Sequence, residues 1–406
     1  MSRSSQADSK IVQAEKGLAD NLRGKQGAMT AFVESCVEAA EGSAVAVVRG
    51  ARYRPHAHKL IRVLKDKKNI LVTTHRFPDP DALASCLALS KLLRAKLKGA
   101  QVTISIKGKI GGGFNSAFAD QTDLELTPWD DEKLAGYDAI VLLDVQPMFE
   151  FSPLPVDLPP IAVIDHHRAR GRKPACPFCD VRTDVGATSS ILFSYFMELE
   201  VDIPPELAAA MLFAIETDLA GAAGTPGELD NMALSSLTLM ADTRKLYKMR
   251  YAKLPQSVYV AVGDGLDNAV CYDSAVLSHL PRIESPEMPA IVADLLLRFE
   301  PVQWALVTAV TETGLQLSLR TSSKTSAADI MRRLMRKLGH GGGHRTTAGG
   351  EHSDEDGLAG RGGAVVRPAA AAVAAGAEDP LAKGAAAGAA GDVDRGGRKP
   401  GPVGWR

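Results

Sequence analysis

Apolar positions along the chain fall into two rhythms. The segment Asn69-Ile-Leu-Val-Thr-Thr74 is an uninterrupted β-branched and aliphatic run, as expected of a strand buried on both faces, and Asp81 to Leu97 follows with helical periodicity. The runs Val102–Ile106, Ala139–Leu143 and Ile161–Ile164 repeat the strand pattern between polar or helical stretches, which predicts a parallel sheet covered by helices. From Thr188 to about Leu254 the texture is helical, and Glu206 to Ile215 is apolar nearly all round, which predicts a buried helix. Residues 66–255 therefore read as one α/β domain with helices on both faces of its sheet.

Residues 256–295 read as a helical linker to a second, smaller α/β domain over 296–351. That domain shows strands at Ala305–Val310 and Leu315–Leu319, joined by Thr311-Glu-Thr-Gly314, and then a helix from Ser326 to Leu338. The helix puts Ile330, Leu334 and Leu338 on one face, with Arg332, Arg333, Arg336 and Lys337 lying largely away from it on a solvated side. Residues 1–65 read as a helical, mildly basic appendage. Residues 352–406 are rich in Ala and Gly with few large apolar side chains, a composition that predicts disorder.

The 406 residues are 45% hydrophobic and balance 47 Lys and Arg against 48 Asp and Glu, so ordinary globular cores are within reach and the chain is no polyelectrolyte. A net charge of −1 removes the broad basic surface that coats long or duplex nucleic acid, leaving local basic pockets as a route to phosphates. Five scattered cysteines suit a reducing compartment, hence the cytoplasm. A secretion signal and a run of about 18 apolar residues are both missing from the pattern, so no membrane role is expected.

Ligands of an open parallel sheet bind beyond the carboxyl ends of its strands, and the residues there form a coherent set. His75, Asp79 and Asp81 follow the first strand, Asp144 follows the third, and Asp165, His166 and His167 follow the fourth. Asp218 ends the buried helix in Ile-Glu-Thr-Asp. Carboxylates this crowded repel one another unless cations sit among them, and imidazoles mixed with them suit a borderline divalent metal such as Mn²⁺. The donors suffice for two metals, an arrangement that activates water and neutralises a phosphoryl displacement.

In this order His75-x3-Asp79-x-Asp81, Asp144, Asp165-His166-His167 and Asp218 resemble the DHH phosphoesterase superfamily. Gly341-Gly-Gly-His344 followed by Ala348-Gly-Gly350 resembles its DHH-associated C-terminal domain. The compact two-domain layout is similar to the nanoRNase and pAp phosphatase (NrnA-like) branch more than to the longer RecJ exonucleases. The resemblance implies one Mn²⁺ on His75, Asp79 and Asp144 and a second on Asp81, Asp144, His166 and Asp218, with Asp144 bridging. Other divalent cations fit the same donors. It places His167 beside the scissile phosphate as a catalytic group with Asp144, and Asp165 behind the motif as its support.

It also implies that Arg320, Gly341, Gly342, Gly343 and His344 grip the substrate, the glycines by letting backbone N–H groups approach a phosphate. Asn115, at the end of Gly108-Lys-Ile-Gly-Gly-Gly-Phe-Asn115, resembles a family position near the active site. The expected activity is hydrolysis of short oligoribonucleotides or adenosine 3′,5′-bisphosphate. A cyclic or linear dinucleotide phosphodiesterase and a non-catalytic nucleotide-binding regulator are the competing readings, and the layout allows a homodimer. Cys176-Pro-Phe-Cys179 has no second cysteine pair and reads as an exposed loop, and His56 and His58 read as surface residues.

Overall fold

The computed structural model describes residues 56–353 and 403–404, apart from 112–113, 169–173, 175, 221–225, 284, 312–313, 337 and 344. The expected appendage up to residue 55 and nearly all of the tail beyond residue 353 lie outside the described residues.

The first domain is built on five parallel strands, β1 (Asn69–Thr73), β2 (Gln101–Ile104), β3 (Ala139–Leu143), β4 (Ala162–Asp165) and β5 (Phe178–Val181), in the order β2-β1-β3-β4-β5. The order reverses between β1 and β3, which opens a crevice beyond the carboxyl ends of those two strands. Every residue of β3 is buried, as its aliphatic run requires of a central strand. The helices of this domain are α1 (His56–Leu64), α2 (Pro80–Lys96), α3 (Phe114–Gln121), α4 (Thr188–Glu198), α5 (Pro205–Ala220), α6 (Glu228–Met240) and α7 (Thr243–Arg250).

Ile70, Val72, Val141, Leu143 and Ile164 point to the face that the α-helices cover. The opposite face, with Leu71, Ile140, Leu142 and Val163, is closed by the 3-10 helix Asp131–Gly136 and by loops carrying Val145 and Leu154. Helical cover is therefore present on both faces but unequal. Helix α5 is buried continuously from Leu207 to Ile215, the all-round apolar helix of the pattern. Helix α1 corrects the appendage reading at its C-terminal end, because Ala57, Leu60 and Leu64 are fully buried in the same core.

The second sheet revises the domain boundary. Helix α8 (Gln256–Asp267), β6 (Val270–Tyr272), β7 (Ala275–Leu280) and α9 (Met288–Leu296) fill the stretch expected as a linker, and β7 pairs in parallel with β8 (Trp304–Val310) near the middle of this sheet. Strand β9 (Gly314–Thr321), helix α10 (Ala327–Met335), β10 (His340–Gly343) and β11 (Thr347–Ser353) follow. The order is β10-β11-β9-β8-β7-β6, with the short strand β12 (Val403–Gly404) beyond β6. Strand β11 runs past residue 351, and His352 is buried in it, so residues 352 and 353 belong to the sheet rather than to a disordered tail.

Helix α10 covers one face of this sheet through Ile330, Met331 and Met335, with Leu334 and Leu338 half-buried beside them, while α8 and α9 cover the other face. The Cys176–Cys179 segment is also not an exposed loop. It enters edge strand β5, and both thiols are half-buried and reduced. No helix among the described residues is long and apolar enough to cross a membrane.

Candidate metal centre

The crevice at the β1/β3 reversal is where the acidic and imidazole side chains meet. Asp79 caps α2, accepting from the Ala82 backbone N–H at 2.9 Å, and Pro80 occupies the first helical position with its missing donor. Asp79 is thus the N-cap, and Asp81, further into the first turn, is released for another task. Its two oxygens accept the backbone N–H groups of Thr188 at 2.7 Å and Ser189 at 2.9 Å, supplying the start of α4 with the acceptors that its own N-cap, Ala187, does not offer.

Asp144 leaves β3 with φ +57°, a left-handed conformation that Asp tolerates better than most residues. Its backbone N–H donates to the Ile164 carbonyl at 2.9 Å, and its Oδ1 accepts from the Thr188 hydroxyl at 2.8 Å. Around it His75 Nε2 lies 3.5 Å from Oδ2, and His166 Nε2 and His167 Nδ1 lie 3.4 and 3.6 Å from Oδ1. His166 Nε2 is also 3.4 Å from Asp218 Oδ2, so it stands between the two carboxylates.

Three groups offer ligand atoms within 4.8 Å of one another: His75, Asp79 and Asp144; Asp81, His166 and Asp218; and Asp144, His166 and His167. The first group has the members of one donor set expected from the sequence, and the second has three of the four expected for the other, Asp144 standing instead in the first and third groups. Burial, reinforced by the neighbouring aspartates, pushes Asp144 well above the usual carboxylate range, and burial does the same to Asp218 and raises Asp81. Burial also holds His75 below its ordinary value, in the neutral form that has a lone pair to give.

No lysine or arginine pairs with these four aspartates among the described residues, and the buried Oδ2 of Asp218 makes no hydrogen bond. A buried oxygen without a donor, in a set of mixed carboxylate and imidazole ligands, fits a divalent cation.

The support around this centre was only partly legible. Asp165 accepts from His167 Nδ1 at 2.8 Å, which fixes the tautomer and the orientation of that ring. Burial works to raise Asp165, but the His167 hydrogen bond, the two imidazoles and Gln146 outweigh it and hold the carboxyl below its usual range. The Gln146 side chain donates to Asp165 at 2.6 Å and to the His167 carbonyl at 2.9 Å, and His166 Nδ1 faces the Val185 carbonyl at 3.3 Å. Gln146 and Thr188 were missed as functional residues, although Gln146 sits two places after Asp144 at the same strand end. Phe149 and Phe151 were missed as well; they pack edge-on against His167 and His75, with centroids 6.2 and 6.0 Å away.

The substrate-binding candidates divide. Asn115 lies in the first turn of α3 and donates to the Pro78 carbonyl at 3.1 Å, beside the metal-binding loop. Arg320 is on β9, where its guanidinium donates to Asp294 at 2.6 Å and to the Ser318 hydroxyl at 2.9 Å. His344 lies outside the described residues.

Gly341, Gly342 and Gly343 form strand β10 rather than a loop, antiparallel to β11, and they do different things. A Cβ on Gly341 would meet Met335 Cγ at 2.7 Å, so this glycine lets α10 lie close on the sheet. Gly343 has φ +136° and meets the Thr347 carbonyl, which excludes a side chain on both counts. Gly342 has nothing within 4 Å; the strand register places it with Gly349 and Ser318 on the face opposite α10, the face of Arg320. His340, two residues back on that face, pairs with Glu150 at 2.5 Å, and Glu150 sits between the two phenylalanines of the metal centre. That pair brings the β10 edge of this face beside the loop that follows Asp144, whereas α8 and α9 cover the face from β7 to β9.

The family models agree with this architecture: the DHH family N-terminal domain matches residues 69–215 and the DHHA1 domain matches residues 273–360. An uncharacterized protein of Methanocaldococcus jannaschii is 29% identical over 294 residues, 71% of this chain and 59% of that protein. A probable manganese-dependent inorganic pyrophosphatase of Listeria innocua is 29% identical over 174 residues, 42% of this chain and 55% of that protein. The chain thus spans less than two thirds of the length of these curated relatives. An exopolyphosphatase-related protein from Bacteroides fragilis superposes with a TM-score of 0.63 at 20% identity, over 77% of this chain and 95% of that one, and shares its fold. With two such domains in tandem over more than half of its length, the chain belongs to the DHH family, a DHH domain followed by a DHHA1 domain.

Proposed function

We propose that this protein is a Mn²⁺-dependent phosphoesterase of the NrnA-like kind, hydrolysing short oligoribonucleotides, adenosine 3′,5′-bisphosphate or both. The observation that carries the reading is the gathering of seven buried or half-buried Asp and His side chains at the ends of the parallel strands, with the His340–Glu150 pair bringing the β10 edge of the second sheet beside the loop that follows Asp144. His75, Asp79 and Asp144 would hold one Mn²⁺, and Asp81, Asp144, His166 and Asp218 the other, with Asp144 shared. Bound there, the cations supply Lewis acidity toward a phosphoryl group and an acidified water.

The chain's own groups do the rest. His167, whose ring is held by Asp165 and whose backbone is held by Gln146, is the group that would donate to a phosphate oxygen. Arg320 and the backbone at Gly342 hold the far end of a ligand that both domains enclose, which supports a preference for short substrates. Asp165 positions; it does not touch the ligand.

The test is hydrolysis of a labelled RNA dinucleotide with Mn²⁺, with adenosine 3′,5′-bisphosphate and a cyclic dinucleotide as competitors. Turnover that Asp144→Ala abolishes is the expected result. Preference for the cyclic compound would move the assignment to a dinucleotide phosphodiesterase. Binding of all three without turnover by Mn²⁺-loaded protein would leave the regulator reading.

A further inference from the structure

Residues 216–272, between the two family-model matches, carry a surface that hydrolysis does not use. Helix α7 and the turn after it read Thr-Arg-Lys-Leu-Tyr-Lys-Met-Arg-Tyr-Ala-Lys over 243–253, with five cations and no acidic residue. Leu246 and Met249 are buried, which turns Arg244, Tyr247, Lys248 and Tyr251 to solvent. Tyr247 and Tyr251 are 62% and 68% exposed, and their rings lie 4.7 Å apart with a 33° tilt. The two adjacent rings are thus open to a ligand on one exposed surface.

Lys245 reaches Asp123 at 3.9 Å and Arg250 pairs with Glu216, but Arg244, Lys248 and Lys253 form no ion pair among the described residues. Glu216 stands two residues before Asp218, so the patch adjoins the end of α5 that carries the metal centre.

We propose that Tyr247 and Tyr251, with Arg244, Lys248 and Lys253, form a docking surface for single-stranded nucleic acid that holds nucleotides beyond the scissile bond. Adjacent exposed tyrosine rings offer a platform to the π-face of any base, and the cations beside them that form no ion pair meet the phosphates. The charge complement selects a polyanionic strand over an apolar protein partner. The chain's near-zero net charge confines the attraction to this patch, which suits a strand of a few nucleotides. The choice of RNA as ligand rests on the proposed hydrolysis of short oligoribonucleotides.

The experiment is binding of fluorescein-labelled hexaadenylate to the full chain, followed by fluorescence anisotropy in EDTA so that turnover does not enter. Tyr247→Ala/Tyr251→Ala raises Kd about tenfold or more, whereas Tyr247→Phe/Tyr251→Phe retains the affinity, which separates stacking from folding. Arg244→Gln/Lys248→Gln lowers the slope of log Kd against log salt by about 0.7 for each phosphate that is no longer neutralised. A Kd indifferent to the tyrosines overturns the proposal, as does tyrosine-dependent binding to phosphatidylserine vesicles with none to RNA. A chain that binds hexaadenylate through the tyrosines but hydrolyses no oligoribonucleotide keeps the docking surface and loses the hydrolytic reading. A chain that cleaves the dinucleotide with tyrosine-independent binding does the reverse.

Discussion

Asp81 and Asp218 show how differently two carboxylates of one centre are embedded. Asp81 accepts two backbone N–H groups at the start of α4, whereas the buried Oδ2 of Asp218 makes no hydrogen bond. Asp81→Ala therefore strands two buried donors and is expected to destabilise the metal-free protein by about 1–3 kcal/mol in urea unfolding with EDTA present. Asp218→Asn removes a carboxylate that burial already disfavours, and leaves metal-free stability unchanged or higher. Both lose Mn²⁺ affinity by titration calorimetry. Gln146→Ala frees His167 and Asp165 from their anchor and is expected to lower kcat about 10- to 100-fold with KM little changed. The Asp and His positions were legible because their side chains follow aliphatic runs; Gln146 and Thr188 were not, since a glutamine or a threonine near an element end is ordinarily a turn or cap residue.

Among the elements, β10 illustrates how a glycine run can mislead. Three glycines in sequence suggest a phosphate loop, but the strand alternation assigns Gly341 to the α10 face and Gly342 to the open one. Gly341→Ala drives a methyl into Met335 and is expected to cost about 1–3 kcal/mol, read by thermal or urea unfolding. Gly342→Ala meets open space, so its effect should appear in KM for substrate rather than in stability. The stretch before β8 misled in another way: β7 is a short run with a polar Ser278 and His279 inside it, yet the sheet pairs it on both sides. Local pattern carries little of that, because partner strands rather than intrinsic propensity make such a segment extended.

For the whole molecule, the cost of the centre is collective. Burial raises Asp81, Asp144 and Asp218 in the metal-free fold, so folding takes up protons there. The sign follows: the contribution of these three groups to metal-free stability is greatest below the ordinary carboxylate range and declines as pH rises through it toward the raised values. Mn²⁺ competes with those protons, so the gain in Tm on adding Mn²⁺ should grow between about pH 5.5 and about pH 8, measured by scanning fluorimetry, and a chelator should reverse it. The exposed His340–Glu150 pair is worth about 0–1 kcal/mol at most, so it marks where the open sheet face lies rather than holding it there.

The sequence by itself determined the α/β class of the first domain, the first four of its strands, the buried helix α5 and the set of Asp and His residues that gather, because each depends on a local run and on the residue that ends it. The tertiary structure alone decided which carboxylate caps a helix and which is left without a donor, where the second domain begins, and which glycine of β10 faces open space. Those outcomes depend on neighbours far away in the chain: Thr188 reaching Asp144, α10 lying on Gly341, and β8 recruiting β7. Chain spacing cannot encode such contacts, since they exist only once separate elements have been brought together.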